Sequence, residues 1–255
     1  MIATLFLQQI TSAKTQLMNT LYITGAGVSA ESGIPTFRGE DGFWTIGSKN
    51  YTPQQMATRY MYQHKPEEFL TWYYHRFATY RHHGPNDVHH WLADKNLITQ
   101  NIDGLDGKAG NPDYIAIHGR LDQMTLFHQQ GEAVETITTP WENVDENHLT
   151  QSLMTIFNIQ QQPELNHSYK PYVLLFDEYY TELYRISEAQ QRMAEADRII
   201  FMGTSFSVNI TQMALEITRA NNIPIEIVDP APKKIAHPNV SYHSMTASAY
   251  IQDHS

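Results

Sequence analysis

Leu21-Tyr22-Ile23-Thr24-Gly25-Ala26-Gly27-Val28-Ser29-Ala30-Glu31-Ser32-Gly33-Ile34-Pro35-Thr36-Phe37-Arg38 decides how this chain is read. A short apolar strand that turns through two glycines into a run of small residues is how an open parallel sheet brings backbone N–H groups up to a pyrophosphate. Gly25 permits the tight turn, and Gly27 removes the Cβ that would block close approach. Ser32 and Gly33 start a second bend that ends in an aromatic ring and a cation, Phe37 and Arg38. The segment therefore predicts a dinucleotide ligand. As a bare G-x-G-x-x-G match it is weak, because the third glycine is displaced to Gly33 and no acidic residue follows about 20 positions on.

Outward from this loop, short apolar strands are expected over 21–24, 96–99, 114–117, 172–176, 198–202 and 225–228. Helices are expected over 3–18, 66–80, 86–94, 181–196 and 211–220. The alternation predicts an α/β fold, a Rossmann-like parallel sheet with helices on both faces. In such a sheet ligand chemistry gathers at the carboxyl ends of the strands, where Gly25, Gln100, His118, Gly203 and Asp229 fall. Two excursions break the rhythm: 45–80, with Trp72, Tyr73, Tyr74 and Phe77, and the polar, Gln-rich stretch 122–168. They are expected to pack together as a smaller inserted lobe, leaving 1–44, 81–121 and 169–255 to the nucleotide-binding domain, with substrate in the cleft between.

Composition narrows the function classes. The 255 residues are 41% hydrophobic and 17% charged, ordinary for a globular domain, and no apolar run reaches the roughly 18 residues a membrane span requires. The N-terminus lacks a basic region and a cleavage site of small residues, so a docking helix and a cytoplasmic location are expected rather than a signal peptide. A formal charge of −10 gives no basic footprint for nucleic acid. The acidic surface suits cationic, lysine-bearing partners and equally plain solubility. With no cysteine in the chain, disulfides, thiolate nucleophiles and cysteine-based zinc sites are excluded. The histidines show no metal-ligand spacing, and the oligomeric state stays open.

Four further segments accompany the loop in chain order: Thr99-Gln100-Asn101-Ile102-Asp103, His118-Gly119, Val173-Leu174-Leu175-Phe176-Asp177-Glu178 and Gly203-Thr204-Ser205. Together they resemble the sirtuin family, the NAD-dependent protein-lysine deacylases, over residues 18–122 and 170–230. The resemblance implies NAD as cofactor and an acyl-lysine protein or peptide as partner. It also implies a mechanism in which the acyl-lysine carbonyl oxygen attacks C1′ of the nicotinamide ribose and nicotinamide leaves. A histidine then deprotonates a ribose hydroxyl, so that the acyl group passes to ADP-ribose. Histidine suits that task because its ordinary pKa, about 6.5, lies near working pH.

Carried over residue by residue, the resemblance makes His118 the base and puts Asn101 beside it in catalysis. Asn101 and Asp103 line the nicotinamide pocket, reading its carboxamide with an amide and a carboxylate, and Ile34 and Phe37 wall it. Gly25, Ala26, Gly27, Ser29, Pro35 and Arg38 belong to the cofactor loop, and Gln100 meets ribose hydroxyls. Gly203, Thr204 and Ser205 meet the phosphates or adenosine ribose. Asp229 accepts from ribose hydroxyls and repels the 2′-phosphate of NADP, which favours NAD. Val173, Leu174, Phe176, Asp177 and Glu178 form a strand that pairs with the substrate peptide, although the family usually has glycine where Asp177 stands. Tyr73 and Arg76 match a Tyr-x-x-Arg pair that reads the distal carboxylate of malonyl- or succinyl-lysine, while Tyr51 stands where that branch carries a small alanine.

Most sirtuins hold the small lobe with a four-cysteine zinc site, and this chain has no cysteine. A metal-free module is expected in its place, packed through Met124, Leu126, Phe127, Val134, Ile137, Trp141, Leu149 and Phe157. Two alternatives to deacylation remain open: NAD hydrolysis or ADP-ribosyl transfer in the same pocket, and a non-catalytic NAD-binding module.

Overall fold

Strand β1 (Thr20–Thr24) runs through the middle of a six-stranded sheet whose order is β3-β2-β1-β7-β8-β9. This comes from a computed structural model of the chain, which describes residues 18–36 and 51–254. Nearly all of the helix expected over 3–18, together with Phe37 and Arg38, lies outside the described residues. The other strands are β2 (Asn96–Thr99), β3 (Ile115–Ala116), β7 (Arg198–Met202), β8 (Ile225–Val228) and β9 (Val240–His243), and every pairing among the six is parallel.

Successive side chains on a strand point to opposite faces, and the two cores divide accordingly. Leu21 and Ile23 face α7 (Ile186–Glu195) and α8 (Asn209–Ala220) through Ala189, Met193, Ile210 and Ala214. Tyr22 faces the opposite way, toward α4 (Asp87–Trp91) and α9 (Ala247–Asp253), through Val88, Leu92, Tyr250 and Ile251. Strand order reverses at β1, which has β2 on one side and β7 on the other. That switch point opens a crevice beyond the strand's carboxyl end, directly at Gly25.

The small lobe is a separate core. Helices α1 (Pro53–Met56), α2 (Arg59–His64), α3 (Pro66–Arg76) and α6 (Leu149–Ile156) pack with an antiparallel sheet ordered β5-β4-β6. Its strands are β4 (Gly119–Leu126), β5 (Thr136–Thr138) and β6 (Tyr169–Val173). Tyr62, Phe69, Tyr73, Phe127, Trp141 and Phe157 form its interior.

Several expected boundaries move. The 172–176 strand is β6, three residues earlier, and it joins the antiparallel sheet of the small lobe rather than the parallel sheet; Glu178 folds back onto the Leu175 N–H at 3.0 Å and turns the chain after Val173. The 66–80 helix stops at Arg76, and a 3-10 turn (Ala78–His82) follows. The 181–196 helix is broken at Arg185, whose φ of 56° is left-handed, into a 3-10 turn (Glu182–Tyr184) and α7. The 86–94 helix shortens to α4, started by Asn86, whose side chain accepts from the Val88 and His89 N–H groups. The 114–117 strand keeps only β3, and the 211–220 helix begins two residues earlier as α8. Among the residues expected to pack the lobe, Ile137 is 41% exposed, since β5 is an edge strand with no layer covering that face. Leu126 and Val134 are half-buried outside the main cluster, whereas Met124, Phe127, Trp141 and Phe157 are inside it, with Leu149 against its edge.

Candidate active site

The glycine turn closes on the end of the neighbouring strand. Gly25 N–H donates to Met202 O and Gly27 N–H to Gly203 O, both at 3.0 Å. A Cβ at Gly27 would stand 2.6 Å from Gly203 Cα, and one at Gly203, where φ is +59°, 2.7 Å from Gly27 Cα. The absent side chains thus let two backbones touch, which fixes a 3-10 helix (Ala26–Ser32) above the switch point. Gly33, at φ 78°, ends it and turns the chain toward Ile34 and Pro35.

Beneath that helix lies a connected set of polar groups. Ser29 Oγ donates to Asp103 Oδ2 at 2.7 Å, and Asn101 Nδ2 donates to Ser29 Oγ at 3.0 Å and to Gly25 O at 3.1 Å. Asp103 Oδ1 accepts from the Leu105 N–H at 2.9 Å. Both N–H bonds of Asn101 are thereby spent, so the capacity left at the Asn101–Asp103 pair is acceptor capacity. Sequence reasoning expected the amide to donate to a carboxamide carbonyl; the structure commits that amide to Gly25 and Ser29 instead. His89 approaches Ser29 from α4, with Nε2 3.4 Å from Oγ, and burial pushes its pKa down against the pull of Asp103. Ala26, Ser29, Ile34, Asn101 and Asp103 line one open cleft, with Phe77 and Tyr80 lining it from the small-lobe side.

Gln100 Nε2 donates to Thr24 O and to Thr204 Oγ1, each at 3.0 Å, tying the ends of β1, β2 and β7 together. Ser205 is exposed beyond them and bonds Ser207 Oγ at 2.8 Å. Asp229, at the end of β8, accepts from the Ala231 N–H at 2.9 Å and is half-buried.

His118 follows β3. Its Nδ1 lies 2.9 Å from Gln100 O, an acceptor only, so the neutral ring carries its proton on Nδ1 and keeps the lone pair on Nε2. Burial lowers its pKa, although the Gln100 carbonyl opposes this, so the ring is neutral near pH 7. Nε2 lies 3.0 Å from the Tyr180 hydroxyl, with the two rings stacked at 21°. His118 O accepts from the Leu174 N–H at 2.9 Å, and Gly119, at φ +86°, passes so close to β6 that a Cβ there would sit 2.0 Å from Tyr172 O. The histidine is thus held from both sheets.

The residues expected to meet substrate divide. Val173 and Leu174 lie against His118 and Gly119, but Phe176 is 53% exposed. Asp177 caps α2, accepting from the Arg59 N–H at 2.6 Å and the Tyr60 N–H at 3.0 Å. Glu178 takes Arg59 Nη1 at 3.0 Å and the buried Lys170 at 3.2 Å. Burial opposes ionisation of Glu178, but the two cations outweigh it and its pKa is lowered. Tyr73 and Arg76 are buried in the small lobe, 1% and 7% exposed, with Arg76 over Trp72 at 5.6 Å and its charge near Tyr80. Among the described residues the Tyr73 hydroxyl has no partner. Tyr51 receives the Lys65 ammonium at 2.7 Å, at the lobe's edge.

Sequence reasoning missed Tyr180, which no motif marks, and Asp106, which sits 1% exposed three positions after Asp103. Burial, then the charge of Asp103, raises the Asp106 pKa to about 7. Among the described residues no group of three or more His, Cys, Asp or Glu side chains is placed to hold a metal ion, and no helix is long and apolar enough to cross a membrane.

A parallel sheet reversing at a glycine turn, with a polar cleft and a histidine at the strand ends, defines a nucleotide-binding α/β protein. The chain belongs to the Sir2 family, whose model matches residues 25–210. It is 30% identical over 231 residues to an NAD-dependent protein deacylase of Leptospira interrogans, covering 87% of this chain and 85% of that protein. It is 28% identical over 235 residues to NAD-dependent protein deacetylase 1 of Geobacillus kaustophilus, covering 89% and 87%. Among solved structures, the crystal structure of a Sir2 homolog–NAD complex superposes with a TM-score of 0.68 at 26% identity, covering 93% of this chain and 88% of that one.

Proposed function

We propose that the protein is an NAD-dependent protein-lysine deacylase that transfers an acyl group from lysine to ADP-ribose and releases nicotinamide. The observation that carries this reading is His118, a neutral imidazole at the strand ends whose tautomer is fixed by Gln100 so that the lone pair sits on Nε2. The site fits the cofactor by its donor set. The Asn101–Asp103 pair has acceptor capacity left for a carboxamide NH₂, Ile34 offers an apolar wall, and Gln100 and Thr204 are placed for sugar hydroxyls. Bound NAD supplies an electrophilic ribose carbon with nicotinamide as leaving group.

The chain's own residues then orient, exclude water and move one proton. Ser29 and Leu105 N–H hold the Asp103 carboxyl group in place, and Gln100 O holds His118 for removal of a hydroxyl proton. Asp229 favours NAD over NADP by like-charge repulsion. The division into a nucleotide domain (1–44, 81–121, 169–255) and a metal-free small lobe (45–80, 122–168) belongs to the same reading, with its bounds shifted so that β4 and β6 fall wholly in the lobe, as does a cytoplasmic location. So does a preference for acidic acyl groups. Among the described residues the buried Tyr73 hydroxyl has no partner; Tyr73 adjoins Phe77, and Arg76 lies near Tyr80, both of which line the cleft. A distal carboxylate would satisfy the phenol and pair with the guanidinium.

Purified protein incubated with NAD should release nicotinamide only when an acyl-lysine peptide is present, and faster with succinyl- than with acetyl-lysine. Release without peptide, or none at all, sinks the deacylase reading. His118→Ala should cut acyl transfer by about 10²–10⁴-fold while calorimetry shows NAD affinity little changed.

A further inference from the structure

The lone pair on which this mechanism depends is already occupied. With Nδ1–H donated to Gln100 O, His118 has one remaining acceptor site, Nε2, and the Tyr180 hydroxyl stands 3.0 Å from it. Burial pushes the Tyr180 pKa up to about 12, although a hydrogen bond with the Ile210 backbone lowers it, so the phenol is protonated and is the donor to Nε2. Tyr180 packs against the sheet's core and stacks on the imidazole.

For His118 to take a proton directly from a sugar hydroxyl, Tyr180 must first give up this hydrogen bond and its stacked position. If it stays, the inventory of its oxygen closes without strain. A phenol has one O–H to donate and two lone pairs to accept with. The O–H goes to Nε2, and the lone pairs of the oxygen are left to accept from a sugar hydroxyl.

We propose that Tyr180 is a catalytic residue that relays the proton from the substrate's ribose hydroxyl to His118. The inference rests on the deacylase reading and deepens it. In the relay the ribose O–H proton passes to the Tyr180 oxygen while the tyrosine's own proton passes to His118 Nε2. Tyrosine begins and ends neutral, the imidazole becomes imidazolium, and the electron pair of the broken O–H bond stays on the sugar oxygen, which uses it to bond the acyl carbon. No charge is placed on the phenol at any resting stage, so its raised pKa does not oppose the transfer. When the acyl group has moved, the same path returns the proton.

Tyr180→Phe keeps the ring, the stack and the fold, and removes only the hydroxyl. Two rates on one enzyme separate the possibilities. Exchange of labelled nicotinamide into NAD, in the presence of acyl peptide, breaks and re-forms the C1′–N bond without removing a sugar proton. Acyl transfer to ADP-ribose requires that removal. The relay predicts acyl transfer down by about 10²-fold and exchange by no more than about twofold. In the His118→Ala background Tyr180→Phe should add no further loss, because the two groups act as one unit.

Acyl transfer that is unchanged or faster shows a tyrosine that merely steps aside, and overturns the relay. An equal fall in both rates shows a structural role and overturns it too. The ring-nitrogen NMR resonances of His118 give a check that needs no turnover: the Nε2 signal should move in Tyr180→Phe, and a signal that does not move removes the hydrogen bond and the relay with it. A wild-type enzyme with neither rate overturns the deacylase reading and the relay together, which distinguishes that failure from the others.

Discussion

At the ends of β1, β2 and β7 the buried groups are mainly polar and hydrogen-bonded: Ser29, Asn101 and Asp103 form one set and Gln100 and Thr204 another, through bonds of 2.7–3.1 Å. In the small lobe the buried groups are mainly aromatic, and among the described residues the Tyr73 hydroxyl, the Trp72 indole N–H and the Thr139 hydroxyl have no partners. One region is therefore positioned by the direction of its hydrogen bonds and the other by the shapes of its rings. A directional network is sensitive to the loss of a single atom or a single charge, because the partner left behind is buried and unpaired. A ring-packed core is sensitive to volume, because interiors this dense leave nothing to fill a void.

The largest test of that contrast removes volume from the lobe. Phe157 is fully buried, its ring lies 6.0 Å from that of Trp141, and its carbonyl accepts the Tyr169 N–H at 2.8 Å as the chain enters β6. Phe157→Ala should cost about 3–5 kcal/mol, read as a lower urea midpoint. Because β6 also holds His118 through Leu174 and Gly119, the loss should carry through to catalysis. A cost below about 1 kcal/mol would mean that something other than ring packing holds the lobe together.

A single charge provides the corresponding test at the strand ends. The Thr99 hydroxyl bonds the Asp106 carboxyl, but among the described residues Asp106 Oδ1 has no partner. Burial raises its pKa from 3.8 to about 7. The folded protein thus holds a proton between about pH 4 and 7 that the unfolded chain has released, so this carboxyl makes stability fall as pH rises through that window. The shift corresponds to up to about 4 kcal/mol at pH 8, the low-pH side being unaffected. Asp106→Asn should remove most of that fall, raising stability at pH 8 by about 2–4 kcal/mol and leaving it nearly unchanged at pH 4. Chemical denaturation at the two pH values checks this, and a variant no more stable at pH 8 than the parent overturns it.

The same contrast explains how much of the molecule could be read in advance. The strand-end site was legible because its positions are dictated by backbone needs that only certain residues meet. Gly25, Gly27 and Gly203 sit where a Cβ would strike neighbouring backbone, and Asn101 and Asp103 follow a strand whose end is marked by the return of polar residues. Tyr180 was illegible because its role comes from a ring that lies 62 residues away in sequence. Asp177 was read as part of a strand facing substrate, since nothing local shows that α2 stops short of it in space and needs a cap. In the lobe, composition located Trp141 and Phe157 in the core, but the β4–β5 pairing was invisible because those strands are too polar to alternate cleanly. The exposed Ile137 shows the converse error, apolar character mistaken for burial on an edge strand.

The smallest effect is the sharpest test, because here the two rules predict opposite signs. Removing a hydroxyl from a satisfied network destabilises, whereas the Tyr73 hydroxyl is 1% exposed and unsatisfied, and burial already pushes the phenol's pKa far up. Tyr73→Phe keeps the ring against Phe69, Phe77 and Trp141 and deletes only that oxygen. Stability should rise by about 1 kcal/mol, the recovered cost of burying a polar group alone. If the hydroxyl is kept for a distal carboxylate, the same change should lower kcat/KM for succinyl-lysine and spare acetyl-lysine. A rise in stability without a change in acyl preference would leave Tyr73 a packing residue. A fall in stability would show that its hydroxyl has a partner in solution, and would move this part of the lobe into the class of the strand-end network.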